Sequence, residues 1–389
     1  MPLIHDKRVS ETSPVSSALR SFFSHFDPLQ LIPMLVLLAF GIIFVYGTGQ
    51  QVGGVHAEVF WKRQIIWVSI GLCLWLFFSF FNYKYLGPAS ILLYAVALVL
   101  LALVLVKGIG VLRFGARRWL DIAGVSVQPA EIAKLAVILL VSWLLSLKRF
   151  PVNNWKTLLL LVGLLAPCAV LILKQPNLSM TLTLCMCAFA IVFCAGFKWK
   201  YLLIGLIVIS ICAPVGYYGL LRPYHRDRIR VFLNPDLDPL NKGWNQRQSE
   251  MAVGSGRLTG KGFMQGTQSM LGYLPQTVSN SDFIFPVIAE ETGFLGASFL
   301  LLMYVLLMIS IFRTALNAPD EFGRYLCVGV GTVFAMHSIV NIGMSIRLMP
   351  VTGQPLPLVS YGGTFMLASL SYLGIVQSVY VRRNRNSEE

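Results

Sequence analysis

Asp282 sits where a polar, basic segment turns into an apolar run, Ser281-Asp282-Phe283-Ile284-Phe285. It is the residue best suited to proton transfer. A carboxylate at a membrane edge is partly desolvated, which raises its pKa toward that of a useful general base. A plain helix N-cap is the alternative reading, because aspartate accepts readily from a first helical turn. Upstream, Gln128-Pro129-Ala130-Glu131-Ile132-Ala133-Lys134 carries a second set of charges. Pro129 suits the first position of a helix, and Glu131 just behind it favours the positive helix end. Lys134 follows three residues on along the same face, about 4.5 Å along the axis, so the two are placed to pair. A charge pair inside a membrane span is costly and marks a functional site by default. Arg117 and Arg118, beside Trp119, read either as interfacial charges next to a belt tryptophan or as phosphate holders. Together these residues offer a carboxylate base and cations able to hold an anion.

Two further segments are irregular. Residues 254–262, Gly-Ser-Gly-Arg-Leu-Thr-Gly-Lys-Gly, look superficially like a nucleotide-binding P-loop. Their spacing departs from Gly-x4-Gly-Lys-Ser/Thr and no strand precedes them, so the glycines serve tight turns near the membrane surface instead. Residues 349–363 hold three prolines and three glycines, too many for a regular helix. Irregular backbone at membrane depth survives only when buried in protein or lining a cavity, so this stretch is expected to wall the site, with a plain connector as the alternative reading. Glu290 falls roughly 80° around a helix from Asp282 and ranks below it.

These groups have to be positioned by membrane-spanning helices. The chain is 56% hydrophobic and 12% charged over 389 residues, which excludes an ordinary soluble domain. Apolar runs of roughly 17 to 25 residues, enough to cross a bilayer core, recur about ten times. They lie near 29–49, 61–81, 86–107, 128–147, 157–173, 178–196, 201–220, 283–312, 325–346 and 363–381, with Glu290, Glu291 and Gly293 splitting the eighth. The expected fold is an all-α polytopic membrane protein. A polar tail, 1–27, precedes a single transmembrane domain, 28–381, and a short tail, 382–389, follows it. A large extracytoplasmic loop, 220–282, joins spans seven and eight.

The polar tail has no apolar run ending at a small-residue cleavage site, so the first span is expected to be retained as a signal anchor. Arg382, Arg383 and Arg385 mark the C-terminal side as cytoplasmic, and an even number of spans places both termini there. The long loop then faces outward although it carries eight Lys or Arg against five Asp or Glu. Loops of that length escape the positive-inside rule, and an anionic ligand accounts for the excess. All seven cysteines fall inside expected spans and read as apolar filler, and the scattered histidines offer no metal cluster. No nucleic-acid partner is expected.

The motifs together resemble the SEDS (shape, elongation, division and sporulation) family of bacterial cell-wall glycosyltransferases, over about residues 28 to 381. Arg63-Gln64, Arg117-Arg118-Trp119, the Gln-Pro-x-Glu-x-x-Lys of 128–134 and Gln175-Pro176 carry the first half of the likeness. Gln248-Ser249, Gly254-Ser255-Gly256, Gly260-Lys261-Gly262, Leu274-Pro275, Asp282-Phe283-Ile284-Phe285, Glu290-Glu291, Pro350-x-Thr352-Gly353 and Ser360-Tyr361-Gly362-Gly363 carry the second. Gly266-Thr267-Gln268 resembles the elongation branch (RodA) more than the division branch (FtsW). In four places the chain departs from the family pattern: Ala130 replaces a serine, Asn177 an aspartate, Gln276 a glutamate, and Asn280-Ser281 a His-Thr pair.

The resemblance implies polymerisation of lipid II, a disaccharide-pentapeptide on undecaprenyl pyrophosphate, at the outer face of the bacterial cytoplasmic (inner) membrane during elongation and shape maintenance. It also implies a class B penicillin-binding protein as partner. Asp282 is then expected as general base, with Arg117, Arg118 and Lys134 holding pyrophosphate and Glu131 orienting Lys134. Arg63, Lys261 and Ser360 are further substrate contacts on this reading, and Mg or Mn is a candidate cofactor. Competing classes are a lipid II flippase, disfavoured by the lack of a visible inverted repeat, and a non-catalytic scaffold for the penicillin-binding protein.

Overall fold

The structure, a computed structural model, describes residues 26–48, 57–113, 116–122, 124–199, 223–238, 242–274 and 279–383. In chain order the first helices are α1 (Pro28–Thr48), α2 (Ala57–Phe80) and α3 (Leu86–Leu105). Three short strands follow, β1 (Gly110–Arg113), β2 (Ala116–Ile122) and β3 (Val125–Val127). Then come α4 (Pro129–Ser146), α5 (Trp155–Lys174), α6 (Leu178–Cys194), α7 (Pro223–Leu233), α8 (Lys242–Ser255) and the single turn α9 (Thr267–Met270). The chain ends with α10 (Ile284–Leu316), α11 (Glu321–Ser345) and α12 (Gly363–Val381). Among the described residues eight helices are long and apolar enough to cross a membrane, and α6 is a shorter apolar helix. The expected span at 201–220 lies outside the described residues.

Burial grades the bundle from centre to rim. Helices α4, α11 and α12 are buried along most of their length, while α2, α3 and α5 turn most of theirs outward. The outward residues are apolar, among them Leu92, Leu159, Val162 and Phe294, as a lipid-facing rim requires. Polar contacts gather at the two ends. At one end Tyr83 donates to Asp320 at 2.7 Å and Arg382 reaches the Phe80 carbonyl at 2.6 Å. The strands, α7 to α9 and the irregular segment before α12 gather at the other.

Residues 110–127 form an antiparallel meander, β1-β2-β3, where the sequence reading has only a polar connection. Leu120 pairs with both Gly110 and Val127, and Gly124 makes the second turn with φ +79°. Strands this short carry too little alternating pattern to stand out between long apolar helices. Thr364 at the start of α12 ties the meander down, accepting from Gln128 N at 3.3 Å and donating to Ser126 O at 3.0 Å.

The eighth expected span is a helix in two parts. Gly293 breaks α10 with φ 68° and ψ −164°, which leaves the new first turn with unsatisfied N–H groups. The glycine-rich strap of 256–262 satisfies them: Phe294 N donates to Arg257 O at 2.8 Å and Leu295 N to Leu258 O at 3.1 Å. In return Lys261 N donates to Glu290 O and Gly262 N to Glu291 O, both at 3.0 Å. Gly256 and Gly260 allow this close approach, because a Cβ on either would collide with the carbonyls of Ala289 and Glu291. The P-loop-like spacing is therefore a backbone strap across a broken helix.

Candidate active site

Asp282 lies in the turn that leads into α10, half-buried. Its backbone is fixed from two sides. Asn341 on α11 donates to the Asp282 carbonyl at 2.9 Å, and Ser360 donates to Ser281 O at 2.5 Å. Tyr361 N adds a bond to Asn280 O at 2.8 Å. Because Asn280 and Ser281 are gripped through their carbonyls, these bonds do not depend on the side chains at the two positions.

The irregular segment 349–363 forms the wall opposite. Gly353 takes φ +71°, a backbone region unfavourable to other residues, and faces the Asp282 carboxylate. Asn341 holds Gln354 O at 2.7 Å, and the Gln354 side chain donates to Thr183 on α6 at 2.8 Å. Ser360 accepts from Leu356 N at 2.8 Å and is fully buried, so its hydroxyl shapes the wall from within. Gln64 on α2 reaches Ser360 O at 3.3 Å.

Two arginines act on Asp282. Arg118 donates through Nε to Gln175 O at 3.2 Å and through its terminal nitrogen to Pro176 O at 2.6 Å, which clasps the turn between α5 and α6. Asn177 in that turn caps α6, accepting from Met180 N at 3.3 Å, a task that aspartate or asparagine performs alike. Arg228 on α7 donates to Thr352 O at 3.1 Å. Burial pushes the Asp282 carboxyl up to about 6, against the opposing pull of the Ser281 hydrogen bond and of the positive charges on Arg228 and Arg118. Sequence reasoning passed over Arg228. The signal was present in the basic excess of the long loop, but its sequence gave no way to choose among eight cations.

The remaining candidates divide by what surrounds them. Glu131 and Lys134 form the expected pair at 2.9 Å, and both side chains are fully buried in the bundle. Lys134 Nζ also lies 2.8 Å from His337 Nε2, so it is enclosed by protein and presents no face to a ligand. Arg117 and Arg118 are neighbours on β2 at a bulge, where the register against β1 shifts by one residue and strict alternation of the side chains is interrupted. Of the two, Arg118 is the one that clasps the turn between α5 and α6. Arg63 is exposed on α2. Lys261 is paired with the buried Glu290 at 2.6 Å and with Thr267 at 2.6 Å, which commits it to the strap.

An apolar cavity of about 270 Å³ opens between α2, α4 and α12, lined by Trp67, Ile132, Leu135, Leu367 and Ala368 with Glu131 at its edge. Among the described residues no group of three His, Cys, Asp or Glu side chains gathers as a metal cage. At Asp282 the arrangement offers one carboxylate of raised pKa, the charges of two guanidinium groups and a facing glycine, and the bundle adds an apolar cavity beside Glu131. That combination suits proton abstraction from a hydroxyl beside an anionic, lipid-borne leaving group.

Known proteins resemble the chain over almost its full length. Residues 28–385 match the model of the FtsW/RodA/SpoVE cell cycle protein family. The chain is 33% identical over 365 residues to the peptidoglycan glycosyltransferase MrdB of Escherichia coli K12, covering 94% of this chain and 96% of that protein. It is 34% identical over 360 residues to the stage V sporulation protein E of Bacillus subtilis 168, covering 91% and 96%. Among solved structures, a chain of a peptidoglycan synthase complex that coordinates polymerization and crosslinking superposes with a TM-score of 0.78 at 30% identity, covering 92% of this chain and 98% of that one. The rod shape determining protein RodA of Thermus thermophilus superposes with a TM-score of 0.67 at 29% identity, covering 92% and 97%.

Proposed function

The chain belongs to the FtsW/RodA/SpoVE family, and from that premise we propose that Asp282 is the general base of a glycan polymerase acting on lipid II. It is a multi-pass membrane protein and a peptidoglycan glycosyltransferase with a role in cell shape. The chemistry that follows is our reading of its site.

Transfer from an α-linked lipid pyrophosphate to a β-1,4 bond inverts the anomeric centre, so one in-line displacement by the acceptor hydroxyl suffices. Asp282 takes the proton of that hydroxyl as the oxygen attacks. Pyrophosphate leaves without protonation provided its growing negative charge is met by cations. Arg118 and Arg228 fill that role, each already oriented by main-chain carbonyls so that little reorganisation is needed. Lys134 acts from behind, as part of the frame, because it is enclosed by protein, and Glu131 pairs with it while bordering the apolar cavity. The apolar cavity between α2, α4 and α12 takes part of the lipid chain.

A divalent cation commonly binds through one or two carboxylates plus substrate phosphate oxygens. Among the described residues no carboxylate cluster gathers to hold such an ion, so it would be carried by the substrate's phosphate oxygens and leave Asp282 free to take the proton. When bound it would share the neutralisation of pyrophosphate charge.

We place the Asp282 end at the outer face of the cytoplasmic membrane, with both termini inside. A class B penicillin-binding protein is the partner that would crosslink the product, in keeping with the coupled polymerization and crosslinking named for the synthase complex. The observation that carries the reading is Asp282 itself, a carboxylate raised to about 6 and set beside two arginines. The test is glycan polymer formed from lipid II by the purified protein, alone and with its penicillin-binding protein, for wild type, Asp282→Ala and Asp282→Asn. Polymer from wild type alone supports the reading; polymer from folded Asp282→Asn at the wild-type rate would sink it.

A further inference from the structure

His337 occupies the centre of the bundle, fully buried, and is part of no role assigned so far. Its Nε2 lies 2.8 Å from Lys134 Nζ and its Nδ1 3.2 Å from the Pro355 carbonyl. Lys134 is ion-paired to Glu131 and so carries an ammonium group, which can only donate. Nε2 must therefore accept, the ring proton sits on Nδ1, and Nδ1 donates to Pro355 O. The opposite tautomer would set two donors face to face at Nε2 and two lone pairs face to face at Nδ1. The buried Glu131–Lys134 pair thus fixes the tautomer of His337.

One turn further along α11, Asn341 donates to Gln354 O at 2.7 Å and to Asp282 O at 2.9 Å. His337 and Asn341 are four residues apart, on one face of the helix. Together they hold two consecutive carbonyls, 354 and 355, of the wall that meets Asp282 through Gly353. We propose that His337 is a positioning residue for Asp282. By donating from Nδ1 to Pro355 it sets where Gly353 stands against the carboxylate, and the Glu131–Lys134 pair acts on catalysis through it. The proposal rests on the reading of Asp282 as the base.

Two amide substitutions separate the two nitrogens. The amide of asparagine reaches about as far as Nδ1, and that of glutamine about as far as Nε2. His337→Asn should keep the bond to Pro355 and lose the partner of Lys134; His337→Gln should do the reverse. Polymerisation of lipid II by the purified full-length protein is measured with thermal unfolding of the same samples in detergent. The expected result is a crossing: His337→Asn melts lower yet keeps kcat within about threefold, while His337→Gln keeps its melting temperature and loses kcat about tenfold or more with KM within about twofold.

Activity that simply follows stability, wild-type kcat in folded His337→Gln, or a loss confined to KM overturns the proposal. If His337→Asn yields no folded protein, the kcat and KM of His337→Gln decide alone by the same criteria. Asp282→Asn in the same assay keeps the two readings apart. Full activity there removes Asp282 as the base, whatever His337 does.

Discussion

Gly353 leaves the space beside Asp282 open: a Cβ built on it would lie 3.1 Å from Asp282 Oδ2. The same residue takes φ +71°, where any L side chain is strained. Position 353 is therefore restricted twice over, by its own backbone and by the carboxylate it faces. Gly353→Ala is expected to destabilise by about 1 kcal/mol from backbone strain. It should also cost more activity than stability, since the wall must withdraw from Asp282 or the carboxylate must turn. Steady-state polymerisation together with thermal unfolding checks this, and a variant that melts lower but keeps wild-type kcat would remove the steric half of the argument.

The raised pKa of Asp282 sets the pH dependence of the reaction. A general base works only when deprotonated, so kcat/KM should rise with pH along a single acid limb near 6 and level off above it. Removing Arg228 takes away one of the charges that hold this value down. Arg228→Gln should move the limb upward, measured as polymer formed between about pH 5 and pH 8. A limb that stays in place would assign the titration to another group.

The same shift makes a statement about stability. The folded-state value, about 6, lies above the ordinary 3.8, so the protein binds this proton more tightly than the unfolded chain does. The stabilising contribution is complete below about 3.8 and is lost as pH rises through about 6. At pH 7.5 the ionised carboxylate is a net cost, and Asp282→Asn should be more stable than wild type by roughly 1–2 kcal/mol after screening by nearby water and the arginines. Below about pH 4 the advantage should vanish. Chemical denaturation of both proteins at the two pH values measures it.

The long helices were readable from the sequence because a bilayer imposes one length and one composition on each span. The Glu131–Lys134 pair was readable for the same reason, since helical spacing places residues three apart on one face. Strands β1 to β3 were not, because three to seven residues of weak alternation are lost between apolar runs of twenty. Arg118 and Arg228 are placed to act on the charge of Asp282 through contacts that span dozens of residues, and spacing along the chain carries no trace of them. His337 shows the sharpest limit: along the sequence it is one of five scattered histidines without a metal cluster, and its place emerges only when its two nitrogens are seen against Lys134 and Pro355.

Lys261 and Glu290 provide the last test, because a basic residue in a glycine-rich loop reads as a phosphate contact and the structure gives it another task. Glu290 is fully buried and accepts from Lys261 Nζ at 2.6 Å, Thr267 Oγ1 at 3.2 Å, Gln268 N at 2.9 Å and Ser269 N at 3.2 Å. Lys261 keeps 26% of its side chain exposed. Deleting the carboxylate strands two backbone N–H groups and an ammonium at once, whereas deleting the lysine leaves the carboxylate its other donors. Glu290→Ala should therefore cost about 3 kcal/mol or more, and Lys261→Ala about half that. Once folded, Lys261→Ala should polymerise with a KM for lipid II close to that of wild type. A severalfold rise in that KM at unchanged stability would return Lys261 to the substrate.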